Sequence, residues 1–227
     1  MDLSVDQIRW IFIYLFVLIV SIAFHEFGHA WMAVKCGDKT PEREGRVTLN
    51  PIAHIDPIGT LLLPVVGAIY GAANGTVGGF GWGKPVSWQP HRIKRGMKMA
   101  TAQILVSIAG PFMNLFLAVV IALIHVILLS QNVLSGSSEV SNILFFAAGT
   151  NMLLLFFNML PFPPLDGGHV VEQFVPYKHR ARFDEIFKYA PFMLLAVLMI
   201  PQIRRVFQVP AQWCTEHVYR LFASLFI

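Results

Sequence analysis

Long runs of apolar residues alternate with short polar and basic loops along this chain. The apolar runs cover residues 8–34, 58–73, 104–129, 143–160 and 190–200. A helix needs about 20 apolar residues to cross the hydrocarbon core of a bilayer, so the first, third and fourth runs predict membrane-spanning helices. The pattern therefore predicts an all-α polytopic membrane protein.

Two regions depart from this pattern of long helices. The second run contains three glycines and a proline within 58–73. It predicts a broken or re-entrant segment, since irregular backbone is tolerated at membrane depth only where protein or a water-filled cavity covers it.

Three prolines lie within 161–164, and proline removes a backbone donor and disfavours helix. We therefore expect short extended strands at 161–165 and at 47–49, where a substrate peptide could add a strand.

The composition agrees with a membrane protein and suggests its orientation. Of the 227 residues, 56% are hydrophobic and 13% are charged, against about 25% charged residues in soluble domains. Lysine and arginine cluster in the loops at 35–46, 84–98 and 178–188, whereas 130–140 has none. Because basic loops tend to stay in the cytoplasm, we expect a multi-pass protein of the plasma or inner membrane, with 25–29 toward the cytoplasmic side.

The charge and the polar segments limit the possible partners and domains. The net charge of +4 does not indicate nucleic acid, because the basic residues lie in loops beside apolar runs. The lipid bilayer is the expected environment, and the sequence gives no prediction of the oligomeric state. No polar block is long enough to fold separately, so we predict a single membrane-embedded domain over 1–227. Its core is expected at about 8–175, with accessory helices at about 185–227.

Candidate chemistry first appears at 24–32, which reads FHEFGHAWM and ends the first apolar run with three ionisable side chains. Residues four apart on an α-helix are offset by only about 40°, so His25 and His29 can present ring nitrogens to one ion. Glu26 lies one residue beyond His25 and can reach a water on that ion without binding the ion. This H-E-x-x-H spacing is typical of zinc hydrolases, in which the glutamate is the general base.

The alternative interpretation is that neighbouring helices satisfy these three polar side chains by hydrogen bonds. Within a membrane each ionisable residue costs about 2.5–3.5 kcal/mol on insertion scales, so three together need a strongly favourable partner. A divalent metal ion supplies such a partner, and we therefore favour a metal site.

A catalytic zinc commonly takes a third protein ligand and keeps its fourth position for water. Asp166 is the best placed candidate, because it follows the cytoplasmic end of the fourth run, at the depth expected for His25 and His29. Without the histidine motif, a simple Asp-Gly turn would be the preferred interpretation of this segment. The candidates for the third ligand are His54, Asp56, His125, Asp166, His169 and Glu172.

Several motifs together resemble the site-2 protease family of intramembrane zinc metalloproteases, in its short bacterial and archaeal form. They are HEFGH at 25–29, NMLPFPPLDGG at 158–168, AGPFMN at 109–114 and GWGKPV at 81–86. The similarity covers roughly 8–190, and the pairing of the two zinc motifs is highly specific.

The resemblance implies a three-helix catalytic core that binds one zinc ion per chain. It implies that His25, His29 and Asp166 are the zinc ligands and that Glu26 is the catalytic acid and base. In this family an asparagine eight residues before the ligand aspartate lies near the active centre, and Asn158 holds that position.

These features predict an intramembrane-cleaving zinc metalloendopeptidase. Its substrate would be a transmembrane protein, cut in or near a membrane-spanning segment, as in regulated intramembrane proteolysis. Asn158 would donate a hydrogen bond to the oxyanion that forms during peptide-bond cleavage. Two alternatives stay open, a proteolytically inactive chaperone-like relative and an ion transporter with a broken helix.

Two further polar residues have two interpretations each. Asn114, in the third run, could contact substrate or the zinc-bound water, or it could hydrogen-bond a neighbouring helix. His54 could line the site or bind a second ion, but a turn in which Asp56 holds its side chain is favoured.

Overall fold

The computed structural model describes residues 3–73 and 81–226, and its architecture is helical. Within these residues no β-strand forms, so the strands expected at 47–49 and 161–165 are absent: both segments lie in turns and bends, without a partner strand. The α-helices are α1 (Val5–Cys36), α2 (Thr40–Arg43), α3 (Leu63–Ala73), α4 (Met99–Ser130), α5 (Glu139–Asn158), α6 (Asp166–Glu172), α7 (Tyr177–Phe187), α8 (Ala190–Met199) and α9 (Pro201–Phe226).

The first, third and fourth apolar runs form α1, α4 and α5, as the sequence predicts. These are the three described helices that are long and apolar enough to cross a membrane, and α8 with α9, bent by 75° between them, could provide a fourth crossing. The chain is therefore a multi-pass membrane protein. Its division into a core at 8–175 and accessory helices at 185–227 stays a prediction.

Helices α1 and α4 approach each other closely beside the HEFGH motif. A Cβ atom on Gly28 would lie 2.5 Å from the Ala109 carbonyl oxygen and 2.7 Å from Met113 Cγ. A side chain at this position would therefore force the two helices apart. Glycine at 28 thus lets α4 pack directly against the part of α1 that bears the histidines.

The second apolar run differs from its expected path. A π-helix over Pro57–Leu62 leads directly into α3, so the backbone is helical through Pro64 instead of broken there. Pro64 lacks the N–H that would bond Gly59 O in this continuous helix, and Trp82 N donates to that carbonyl oxygen at 3.0 Å instead. The helix stacks on α1 through Ala68, and it is too short to count among the membrane crossings. Any re-entrant path through 74–80 lies outside the described residues.

The segment that follows, 81–88, is tied to the loop after α2. Lys84 N donates a hydrogen bond of 2.9 Å to His54 O. The buried guanidinium of Arg46 donates to the carbonyl oxygens of Ala53 and Lys84. These bonds fix an irregular piece of backbone beside the middle of α1, where it forms one wall of a cavity.

Candidate metal centre

Three side chains from two helices converge at one point of this cavity. His25 and His29 lie on consecutive turns of α1, and their Nε2 atoms are 3.0 Å apart. Asp166, the first residue of α6, places Oδ2 3.2 Å from His25 Nε2 and Oδ1 3.3 Å from His29 Nε2. One ligand atom from each residue lies within 4.8 Å of the others, so the three could hold one metal ion.

Asp166 reaches the histidines because α6 packs tightly under the turn that ends α5. Added Cβ atoms would lie 2.5 Å from Leu160 O at Gly167 and 2.5 Å from the carbonyl carbon of Phe162 at Gly168. Any side chain there would push the start of α6 away from this turn. The two glycines therefore fix the carboxylate position, which a simple Asp-Gly turn would not do.

Helix α4 covers the histidine pair from the side at Gly110. An added Cβ atom at this position would overlap His29 Nε2, and it would lie 2.8 Å from His25 Cε1. The imidazoles can occupy their positions only because residue 110 has no side chain.

The second nitrogen of each histidine is held by an oxygen atom. His29 Nδ1 lies 2.7 Å from the Val106 carbonyl oxygen, and His25 Nδ1 lies 2.7 Å from Asn114 Oδ1. A carbonyl oxygen can only accept, so the ring hydrogen of each neutral histidine is on Nδ1 and the lone pair is on Nε2. Both Nε2 atoms therefore point into the cluster with a lone pair that could bind a metal ion.

The orientation of the Asn114 amide is itself fixed by hydrogen bonds. Its Nδ2 donates to Ser21 O at 3.1 Å and to Asn151 Oδ1 at 3.0 Å, so its oxygen must face His25. Asn151 Nδ2 in turn donates to Ser21 Oγ and to Ala147 O, both at 2.9 Å.

This buried network joins α1, α4 and α5 behind the cluster. Asn114 therefore makes helix–helix hydrogen bonds, one of the two sequence-based interpretations, and His25 is one of its partners. Asn151 and Ser21 were not predicted from the sequence as part of the site. The feature that could have identified them in the sequence is that each is a polar residue within an apolar helix.

Glu26 borders the same cavity but lies outside the cluster of three. Its side chain is buried, and Oε2 has no hydrogen-bond partner among the described residues. An added Cβ atom on Gly83 would lie 3.1 Å from Glu26 Oε1. The glycine of segment 81–88 thus leaves room for the carboxylate beside the cluster.

The cluster opens onto a cavity of about 1100 Å³. Segment 81–88 forms one wall, and the prolines after α5 with part of α8 form others. Asn158 also lines the cavity, and its Nδ2 donates to Leu154 O at 3.0 Å. An amide nitrogen carries two hydrogens, so this bond leaves a second one for another acceptor.

The ionisation of Asp166 suits a metal ligand. Burial alone would raise the pKa of this carboxyl group, but the adjacent rings of His29 and His25, when protonated and hydrogen-bonded to it, lower the pKa further than burial raises it. The pKa of Asp166 therefore lies below the usual range of a carboxyl group. Asp166 is therefore an anionic carboxylate at neutral pH.

The other candidates for a third ligand lie elsewhere or apart from the cluster. His54 is buried and bonds Thr48 O at 2.8 Å, so Thr48 and not Asp56 holds its ring. Burial lowers the pKa of His54, and the positive charge of Arg46 lowers it as well. The hydrogen bond with Thr48 and the negative charge of Glu26 raise this pKa, but by less.

The remaining candidates have other roles or partners. Asp56 caps the π-helix by accepting from Ile58 N and Gly59 N. His125 bonds Tyr219 and Ser141 near the other end of α4. His169 lines the cavity and lies 3.6 Å from Glu172.

Comparison with known proteins gives one family and several relatives. The model of peptidase family M50 matches residues 13–139 and 130–200, a range that includes all three residues of the cluster. "Putative zinc metalloprotease YwhC" of Bacillus subtilis (strain 168) is 34% identical over 213 residues, which is 92% of this chain and 90% of the relative. "Putative zinc metalloprotease Rip2" of Mycolicibacterium smegmatis is 30% identical over 237 residues, which is 97% of this chain and 79% of the relative. No solved structure gives a significant match.

Proposed function

The chain belongs to peptidase family M50, the family of the site-2 proteases, and on this basis we propose that it is an intramembrane zinc metalloprotease. Its reaction would be hydrolysis of peptide bonds in or near transmembrane segments of other membrane proteins, as in regulated intramembrane proteolysis. The observation that carries this proposal is the convergence of His25, His29 and Asp166 beside the carboxylate of Glu26, inside a multi-pass membrane protein.

The donor atoms of the cluster fit zinc. Zinc prefers nitrogen and oxygen ligands at about 2.0–2.2 Å in tetrahedral sites, and two such ligands of one ion lie about 3.3 Å apart. The two Nε2 atoms are already 3.0 Å apart, and each lies 3.2–3.3 Å from one oxygen of the Asp166 carboxylate. Asp166 Oδ2 is buried and accepts no hydrogen bond from the described residues, which a bound cation would compensate. His25, His29 and Asp166 would hold one zinc ion per chain.

The proposed catalytic roles follow from position. When bound, zinc supplies Lewis acidity, which activates water at neutral pH and polarises a peptide carbonyl. Glu26 would take a proton from the attacking water and return it to the leaving amine. Asn158 would use its remaining amide hydrogen to stabilise the developing oxyanion.

The cavity suits an unwound peptide better than a helix. A transmembrane helix hides its carbonyl groups in internal hydrogen bonds, so it must unwind locally before cleavage. Segment 81–88 and the turn at 161–165 border the cavity with non-helical backbone. Because the basic loops favour a cytoplasmic position, we infer that the active site faces the cytoplasmic side of the cell membrane.

The proposal is tested by metal analysis and chelation of the protein in lipid vesicles. We expect one zinc ion per chain. We also expect cleavage within the apolar segment of co-reconstituted transmembrane proteins that carry glycine or proline at their centre. Removal of zinc with 1,10-phenanthroline should abolish cleavage, and added Zn²⁺ should restore it. Mass spectrometry of the products locates the cut.

Three outcomes would contradict the proposal. Purified protein that binds no zinc would exclude the metal centre. Stoichiometric zinc without cleavage of any such membrane protein would favour the inactive, chaperone-like alternative. Ion flux across the vesicles that chelation does not change would favour the transporter.

Asn114→Leu is expected to weaken zinc binding about 10–100-fold, the usual effect of removing the partner of a ligating histidine. Leucine keeps the approximate shape but cannot accept the hydrogen of His25 Nδ1. The affinity is measured by competition with a chelator of known zinc affinity. Asn142→Leu, at an exposed position of α5, is the matched control and should retain the original affinity. Equal affinity in both variants would show that the network does not orient His25.

A further inference from the structure

Helix α9 lies at the same membrane depth as α5, although its composition is more polar. Phe207 contacts Phe157 with ring centroids 5.3 Å apart, and Tyr219 contacts Phe145 at 5.1 Å. The two helices are therefore antiparallel. Between these contacts each helix rises about 18 Å, which is more than half of the hydrocarbon thickness.

The face of α9 that packs inward carries one aromatic and two small side chains. Phe207, Ala211 and Thr215, spaced one turn apart, are buried against the bundle. Phe207 also borders the metal cavity. The outward face therefore lies on the opposite side of the helix from the proposed active site.

A polar stripe runs along the outward side of α9, at the depth set by the two aromatic contacts. Gln212 Nε2 donates to Glu216 Oε1 at 3.0 Å, and Arg220 lies 3.5 Å from Glu216 Oε2. The side chain of Glu216 is 40% exposed and that of Arg220 is 74% exposed. Val209 and Trp213 flank the stripe and are also exposed.

Such a stripe is poorly suited to lipid. Ionisable side chains inside a membrane almost always face the bundle interior or a water-filled cavity and are paired. Glu216 has partners only on its own helix among the described residues, although 40% of its side chain is exposed. A carboxylate at this depth needs donors from a neighbouring surface.

We propose that this stripe is the contact surface between two copies of the chain, which pack α9 against α9 in the bilayer. Both copies insert with the same topology, so the two-fold axis lies along the membrane normal and the two α9 helices run parallel. Gln212 would then meet its own counterpart, and a glutamine amide can both donate to and accept from another. Glu216 would receive donors from the partner's Arg220.

The chemistry of the stripe favours a second copy over a substrate segment. The stripe carries a carboxylate with a guanidinium one turn away, so two identical stripes complement each other in charge. A transmembrane substrate with an apolar surface would offer these two groups no partner beyond those on their own helix. The proposal does not depend on the proposed catalytic function, since it uses no residue of the metal cavity.

The test is cross-linking in lipid vesicles at high dilution of the protein in lipid. Cys36 and Cys214 are first replaced by alanine, and a single cysteine is introduced by Val209→Cys. Mild oxidation should produce a disulfide-linked dimer. Phe116→Cys, at a position of α4 that is 51% exposed, is the matched control and should stay monomeric.

A second measurement removes the polar groups themselves. Gln212→Leu combined with Glu216→Leu should weaken dimerisation about 10–100-fold, measured by energy transfer between labelled copies, if hydrogen bonds between helices hold the pair. Zinc content serves as the check that the variant is folded. A monomeric parent protein in vesicles, equal cross-linking at 209 and 116, or dimerisation unchanged by the two leucines would each overturn the proposal.

Discussion

Glu26→Gln is expected to lower kcat/KM for peptide cleavage about 10²–10⁴-fold, the range that a positioned acid–base group contributes, while one zinc ion per chain stays bound. Glutamine has nearly the same size but cannot accept a proton from water. Glu26 is adjacent to His25 in sequence, yet it lies outside the cluster formed by His25, His29 and Asp166. Zinc content and cleavage rate are measured on the same preparation.

His25→Ala provides the contrast to this variant. It removes a ligating nitrogen, so zinc binding and cleavage should fall together. Loss of zinc in Glu26→Gln to the same extent would show that Glu26 is itself a ligand. Cleavage at the parental rate would show that another group acts as the base.

Glu26→Gln also offers a way to identify the substrate. An inactive protease that still binds zinc keeps its cavity intact, so its natural substrate should accumulate uncut in cells that produce only this variant. A membrane protein that is shortened in parental cells and full-length in variant cells would be the candidate. Cleavage of that protein by the purified parent enzyme would then verify the assignment.

The metal cluster could be predicted because its chemistry is strongly constrained by sequence spacing. Two histidines four residues apart on one helix must share a face, and the depth of 25–29 then restricted where a third ligand could come from. Asp166 satisfied this condition because α5 runs back to the same level as His25. The structure brings these three residues together and leaves the other candidate ligands apart.

The residues around the cluster could not be predicted in the same way. The contacts of Gly110 and Asn151 with their partners join segments far apart in the sequence, and no local pattern fixes such a contact. At 47–49, in contrast, a local pattern was present but the expected strand did not form. Its β-branched residues favour an extended backbone, but a strand also needs a partner, and no neighbouring backbone pairs with this segment in the described part of the chain.

The position of α9 could likewise be established only from the packing of the helices, not from the sequence. On its own α9 is not among the helices apolar enough to cross a membrane, whereas the contacts of Phe207 and Tyr219 place it alongside α5. Helix burial inside a bundle can compensate for a polar composition, so the path of a helix is decided by what it packs against.

Gly110→Ala is expected to weaken zinc binding about 100-fold or more, because a displacement of about 1 Å at a site can already cost this much in function. The added methyl group would overlap His29 Nε2 and lie 2.8 Å from His25 Cε1. Either α4 must move away from α1 or the imidazoles must rotate out of the cluster. Both changes separate the ligands, so cleavage should fall with zinc affinity.

The matched control for this change is Gly149→Ala on α5. An added Cβ atom there meets nothing within 4 Å, and alanine is the better helix former by about 1 kcal/mol. This control should therefore bind zinc as the parent does and should be at least as stable. If Gly110→Ala also bound zinc with parental affinity, the close packing of α4 against the histidines would not be what positions them. A loss confined to Gly110→Ala would show that the missing side chain at 110 is a requirement of the metal centre itself.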